Sequence, residues 1–152
     1  MDPDPPCAGS LELIATAVRS SGLRAALCYE ISDRNGHHEA LAGLDENLEF
    51  IEAHREHATI RGTLGLHASF TVADDTFDAV AERRPAGCGC HIHLAEDGLD
   101  FQVSELAFGA APLERLHSRG LLDERALLVH GGREMQLKLH EMAVKRTVRK
   151  TP

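Results

Sequence analysis

Cys88-Gly89-Cys90-His91-Ile92-His93-Leu94-Ala95-Glu96 is the stretch from which the rest of this 152-residue chain can be read. Residues two apart along a strand point to the same face. On that reading His91 and His93 share one face, and Cys88, Cys90 and Ile92 share the other. Glu96 falls three residues past His93, on the loop that follows the strand. A histidine able to hold a metal, with a carboxylate able to move protons close behind it, is a hydrolytic arrangement. The plainer alternative, a buried strand with incidental histidines, stays open on these nine residues alone.

Outward from this stretch, helical and strand patterns alternate. Leu11, Ile14, Ala15 and Val18 mark one face of a helix to about Ser20, with Ser10 expected to cap it and Gly22 to close it. Arg24 to Glu30 reads as a short strand running into the polar turn Ser32-Asp33-Arg34-Asn35-Gly36. Leu41, Leu44, Leu48 and Ile51 then predict a long helix over about 39–56. A second strand is expected from Arg61 to Ala68, and Asp74 or Asp75 is expected to cap a helix ending near Arg84. After the opening stretch come helical segments over about 102–108 and 112–119, then a fourth strand, Ala126 to His130.

The four strands end near Glu30, His67, His93 and His130, at intervals that match successive βα units with parallel strands. Each ends in an ionisable residue. Active sites of α/β barrels collect at the carboxyl ends of their strands, a residue or two from each. Three histidines and a glutamate at equivalent places in consecutive units therefore point to a site.

Composition bounds the rest. The apolar and charged fractions, 43% and 26%, are those of a globular domain. No apolar run approaches the roughly 20 residues that span a bilayer, and Met1 to Cys7 lacks the pattern of a secretory signal, so no membrane role and a cytoplasmic location are expected. The net charge of −8 speaks against a nucleic-acid surface. From Gly131 onward six Lys or Arg stand against two acids, a net of +4 that leaves the first 130 residues at −12. Three segments are thus expected: an irregular lead-in over 1–9, an α/β unit over 10–130 and a basic, helical tail of different character over 131–152. Cys88 and Cys90 sit too close along one strand to bridge easily. A zinc site using both with His91 and His93 would need ligands from two faces of one strand, so the cysteines read as packing.

These residues resemble the metal-dependent amidohydrolase superfamily, in the branch of cytosine, guanine and S-adenosylhomocysteine deaminases and chlorohydrolases. Gly65-Leu66-His67-Ala68-Ser69-Phe70-Thr71 resembles that branch's fourth-strand motif, His91 to Glu96 its fifth and Leu127 to His130 its sixth. Leu27 to Gly36 is similar to the third-strand segment of an aminohydrolase subgroup linked to selenium metabolism. The resemblance implies a partial (β/α)8 TIM barrel, with about four parallel βα units standing for strands 3 to 6. It also implies a divalent metal, zinc or iron, and a small-molecule substrate of the purine, pyrimidine or related amine or amide class.

By the same resemblance His93 is the metal ligand, and Glu96 is the acid/base that takes a proton from water and delivers it to the substrate nitrogen. His130 orients that water, His67 contacts substrate, and Glu30, Asp33 and Arg34 stand at the substrate rim. His91 reads as packing inside the barrel. The family's first-strand His-x-His pair and eighth-strand aspartate have no counterpart here, so the ligand set is incomplete. The expectation is a hydrolase of non-peptide C–N bonds that needs a complementing chain. The alternative is a non-catalytic remnant or subunit that self-associates through open barrel edges. His37, His38, His54, His57, His117 and His140 are expected on polar helix faces or loops, without a role.

Overall fold

The computed structural model describes residues 7–132; the start of the proline-rich lead-in and nearly all of the basic tail, with His140, lie outside the described residues. All strand pairings within that span are parallel. β1 (Ala25–Leu27) and β2 (Glu30–Ile31) are two pieces of the first predicted strand, and β3 (Ile60–Gly62) and β4 (Leu64–Ala68) are two pieces of the second. β5 (Cys90–Leu94) and β6 (Leu127–His130) follow. β1 pairs with β3, while β2, β4, β5 and β6 lie side by side in chain order. Neighbouring parallel strands in sequential order, each reached through helical segments, are the pattern of a (β/α) barrel segment.

The helices are α1 (Ser10–Ser21), α2 (His37–Ala53), α3 (Asp74–Arg83), α4 (Gly98–Phe108) and α5 (Pro112–Ser118). The main core joins Leu64 and Leu66 of β4 with Cys90, Ile92 and Leu94 of β5, Leu44 of α2, Phe77 and Val80 of α3 and Leu113 and Leu116 of α5. Each buried side chain of this size contributes about 1.5–3 kcal/mol. Cys90 is thus packing, as expected, and all four cysteines are free. The opposite face of β5 carries His91 and His93, both half-buried. Strand alternation therefore separates a helix-facing apolar side from an inner polar side.

The strand breaks have a local cause. Gly65 lies so close to the β1–β2 link that an added Cβ would stand 2.4 Å from the Tyr29 carbonyl oxygen and 2.9 Å from Cys28 Sγ. The link itself is held by Asn47, whose side chain accepts from the Tyr29 N–H at 2.8 Å and donates to the Tyr29 carbonyl at 2.9 Å. A side-chain amide replaces ladder hydrogen bonds there, so the strand is interrupted without orphaned backbone groups.

Helix starts correct the expected caps. Ser10 is already helical and Gly9 is the cap residue. It is Glu46 of α2 that accepts from Gly9 N–H and Leu11 N–H, both at 2.8 Å. Asp74 is likewise the first helical residue of α3, and Asp33 accepts from Ala73 N–H at 2.7 Å and from the Thr76 hydroxyl at 2.8 Å. A carboxylate at a helix N-terminus satisfies free donors and complements the dipole. Here it arrives from a different element and ties two elements together. α4 keeps a local cap, Asp97 accepting from Leu99 N–H, and starts earlier than expected. Ile14, expected on the inner face of α1, is 49% exposed.

His54 is a further correction. Only 5% exposed, it stacks on Phe50 at 4.1 Å, and its Nδ1 lies 3.1 Å from the Phe50 carbonyl oxygen. Its Nε2 faces Glu12 at 3.4 Å. His57 also has work to do, since its Nδ1 accepts from Thr59 and Ile60 N–H. Both join α1, α2 and the approach to β3.

Candidate functional site

The carboxyl ends of β5 and β6 carry the two non-glycine residues with left-handed backbone among the described residues, Ala95 (φ 54°) and His130 (φ 73°). Such conformations cost of order 1–3 kcal/mol each and concentrate at functional sites. Their effect here is geometric. The register pairs His130 with Leu94, whose side chain lies in the core. Alternation alone would send His130 to that side. The left-handed turn brings its imidazole round to the inner side, where Nε2 lies 3.1 Å from His93 Nδ1. Gly131 and Gly132 then donate their N–H groups to the Leu94 and Ala95 carbonyls, hooking the end of β6 onto β5.

Three groups converge. Glu96 Oε2 lies 3.7 Å from His130 Nε2, and ligand atoms of His93, Glu96 and His130 all fall within 4.8 Å of one another. Nitrogen ligands sit about 2.0–2.1 Å from zinc, which in a tetrahedron places ligand atoms roughly 3.3 Å apart. Two of the separations between these atoms, 3.1 and 3.7 Å, lie near that spacing, and the third stays within 4.8 Å. The other nitrogen of His93 faces Glu30 Oε1 at 3.4 Å. A carboxylate against the far nitrogen of a ligating histidine is the usual way to fix its tautomer and orientation. Glu30, read from sequence as a rim residue, therefore stands where it can hold His93.

His67 is the extra residue of a bulge, where the register of β4 on β5 shifts between Leu66 and Ala68. Bulges re-aim side chains beside active sites. Its ring centre lies 6.3 Å from that of His93. The Thr71 hydroxyl donates to the Ala68 carbonyl at 2.7 Å, so its contact of 2.9 Å with His67 Nδ1 requires the proton to be on Nδ1. His67 Nε2 is then an acceptor.

His91 lies one step earlier on the strand, stacked on His93 and 3.7 Å from Cys28 Sγ. It is half-buried and shares one face of β5 with His93. Burial pushes the Cys28 thiol up from its ordinary value, with Glu30 adding to the rise, so that thiol is protonated at neutral pH.

Of the expected rim, Asp33 uses both carboxylate oxygens on the start of α3, as described above. With the exposed Arg34 it also lines a shallow cavity of about 280 Å³, together with Phe70, Thr71 and Phe108. Two residues that sequence reading passed over support the site from beneath. Asp100, 2% exposed, accepts from Ala95 N–H and from the Ser69 hydroxyl. Arg115, equally buried, donates to the Ser69 and Val72 carbonyls and to Asp74. It lies over the Phe108 ring at 3.5 Å. A polar residue at a core position of an apolar helix was the signal available for each.

No family model matches the chain. Relatives of known activity do. The 5-methylthioadenosine/S-adenosylhomocysteine deaminase 2 of Archaeoglobus fulgidus is 32% identical over 123 residues, covering 79% of this chain and 30% of that protein. The 5′-deoxyadenosine deaminase of Methanosarcina barkeri is 29% identical over 119 residues, covering 76% and 28%. Among solved structures, a zinc-bound adenosine deaminase from Xanthomonas campestris superposes with a TM-score of 0.74 at 23% identity, over 87% of this chain and 31% of that one. An atrazine chlorohydrolase from Arthrobacter aurescens complexed with zinc gives 0.65 at 19% identity, over 81% and 30%. The chain spans just under a third of the length of the relatives it matches.

Proposed function

We infer, from the premise that this chain belongs to the metal-dependent amidohydrolase superfamily, that it carries the proton-transfer side of a C–N hydrolysing centre and acts on an adenosine-type purine nucleoside. The observation that carries this is the convergence of His93, Glu96 and His130 on two strand ends whose backbone is bent to bring them together. A divalent cation held by His93 and His130 would supply Lewis acidity and bring the pKa of water to near 7. Glu96, the most exposed of the three, takes the proton from the attacking water and returns it to the departing nitrogen. Proton transfer of this kind contributes roughly 10²- to 10⁴-fold. His67, with its acceptor nitrogen free, contacts the substrate; Glu30 orients His93. The substrate class follows from the relatives, which are deaminases of adenosine-type compounds.

The test joins metal content with ammonia release. Purified chain dialysed against zinc is expected to retain the ion stoichiometrically, and His93→Ala to lose it. With 5′-deoxyadenosine as substrate, Glu96→Gln is expected to keep zinc and lose ammonia release. Equal zinc content in the parent and His93→Ala would contradict the reading.

A second reading has its own support. Leu127, on the inner face beside His91, is 56% exposed, and among the described residues the sheet has unpaired edges at β2 and β6. Apolar surface and open edges of this kind favour association. On this reading the chain acts as a non-catalytic assembling subunit, and light scattering at micromolar concentration finds oligomers without ammonia release. A monomer that releases ammonia would count against it.

A further inference from the structure

We infer that Asp100 is a positioning residue for Glu96, acting as a clamp on the backbone of Ala95. The inference rests on Glu96 being the proton carrier of the site. Asp100 lies in the first turn of α4 with its side chain almost fully enclosed, a costly place for a carboxylate unless its oxygens are satisfied. Both are. Oδ2 accepts from Ala95 N–H at 2.7 Å, and Oδ1 accepts from the Ser69 hydroxyl in the turn after β4. Arg115, which holds the Ser69 and Val72 carbonyls, contributes favourable charge from nearby.

The geometry gives this network a direction. Ala95 is the residue between the last strand position of β5 and Glu96, and it is left-handed without being glycine. An alanine holds that conformation only where its surroundings over-determine it. Two bonds do so: Asp100 on its N–H and Gly132 on its carbonyl. Glu96 itself is exposed, and its one polar contact among the described residues is His130. The direction of its side chain is therefore set from behind, by the turn at Ala95. Because the same carboxylate grips Ser69, it also ties the β5 turn to the turn that carries Thr71, the partner of His67. One buried carboxylate thus fixes the relative placement of Glu96 and His67 without touching the reacting atoms.

The experiment compares Asp100→Asn, Ala95→Gly and the double variant in the full chain. Glycine enters the left-handed region without steric cost, so it replaces the clamp's function without replacing its hydrogen bonds. In the parent, the Ala95 amide proton is expected downfield and slow to exchange, and in Asp100→Asn its exchange rises at least about tenfold. Ammonia release from 5′-deoxyadenosine falls about tenfold in Asp100→Asn, with zinc affinity, titrated with the metal alone, unchanged, and the release recovers in the double variant. A merely structural carboxylate would give no such rescue. Where Asp100→Asn does not fold, Ala95→Gly alone decides: the clamp predicts a raised melting midpoint with unchanged zinc affinity, and a lowered midpoint overturns it. An Ala95 amide unchanged by Asp100→Asn, or a folded double variant with no recovery, also overturns it. If the parent binds no zinc, the functional reading fails, while loss of amide protection in Asp100→Asn still upholds the clamp.

Discussion

Two sets of histidines lie at opposite strand ends, one before β3 and the other where β5 and β6 finish. His54 and His57, near the amino end of β3, are saturated by the chain itself: a carbonyl, a stacked phenyl ring and an ion pair for one, two backbone amides for the other. His93 and His130, at the carboxyl ends of β5 and β6, face each other and two exposed carboxylates, Glu30 and Glu96. The first set spends its hydrogen-bonding capacity on folding. The second holds that capacity in reserve, and the backbone around it is bent to do so. What distinguishes a site histidine is therefore the identity of its partners, since residue type is the same in both sets and burial varies within each.

The largest effect expected on the structural side is at Arg115. Arg115→Ala strips the Ser69 and Val72 carbonyls and Asp74 of their donor, and unfolding by urea should show a loss of about 3–5 kcal/mol. Next come the histidines themselves. His54→Ala is expected to cost about 2–3 kcal/mol through the lost stack and buried hydrogen bond, with zinc affinity unaltered. His93→Ala should do the reverse, abolishing zinc binding while stability stays within about 1 kcal/mol. A shared phenotype for the two would dissolve the comparison. Gly65→Ala lies between the sets, because its Cβ would press on the Tyr29 carbonyl under the inner face. A loss of about 1–3 kcal/mol in urea is expected.

The smallest effect separates packing from chemistry on β5. Burial pushes the Cys90 thiol up to about 11 from an ordinary 9.0. The folded state thus favours the protonated form, and its contribution is complete below pH 9 and lost as pH rises toward 11. The span is worth on the order of 2 kcal/mol. Urea midpoints should fall across that window in the parent and fall less in Cys90→Ala, while thiol alkylation at neutral pH stays slow.

Much of this arrangement was legible in the sequence because it obeys local rules. Period-two alternation separated His91 and His93 from Cys90 and Ile92, and the recurrence of ionisable residues at strand ends pointed to the candidate site, where His93, Glu96 and His130 lie close together. The misses share a physical cause. Glu46, Asp33 and Asn47 act on backbone groups far along the chain, and local capping rules assign the helix-start donors to Ser10 or Asp74 instead. Asp100 likewise reaches a distant group, the Ser69 hydroxyl. His54 looked like a surface histidine because its carbonyl and carboxylate partners come from α2 and α1. The left-handed turns at Ala95 and His130 left no mark either, since glycine, the usual sign of such turns, is absent from both positions.

Calorimetric titration of the purified chain with zinc tests the central claim most directly. One zinc per chain, lost in His93→Ala and His130→Ala and retained in His54→Ala, is the predicted result. Absence of binding in the parent, or binding that survives His93→Ala and fails in His54→Ala, would contradict it.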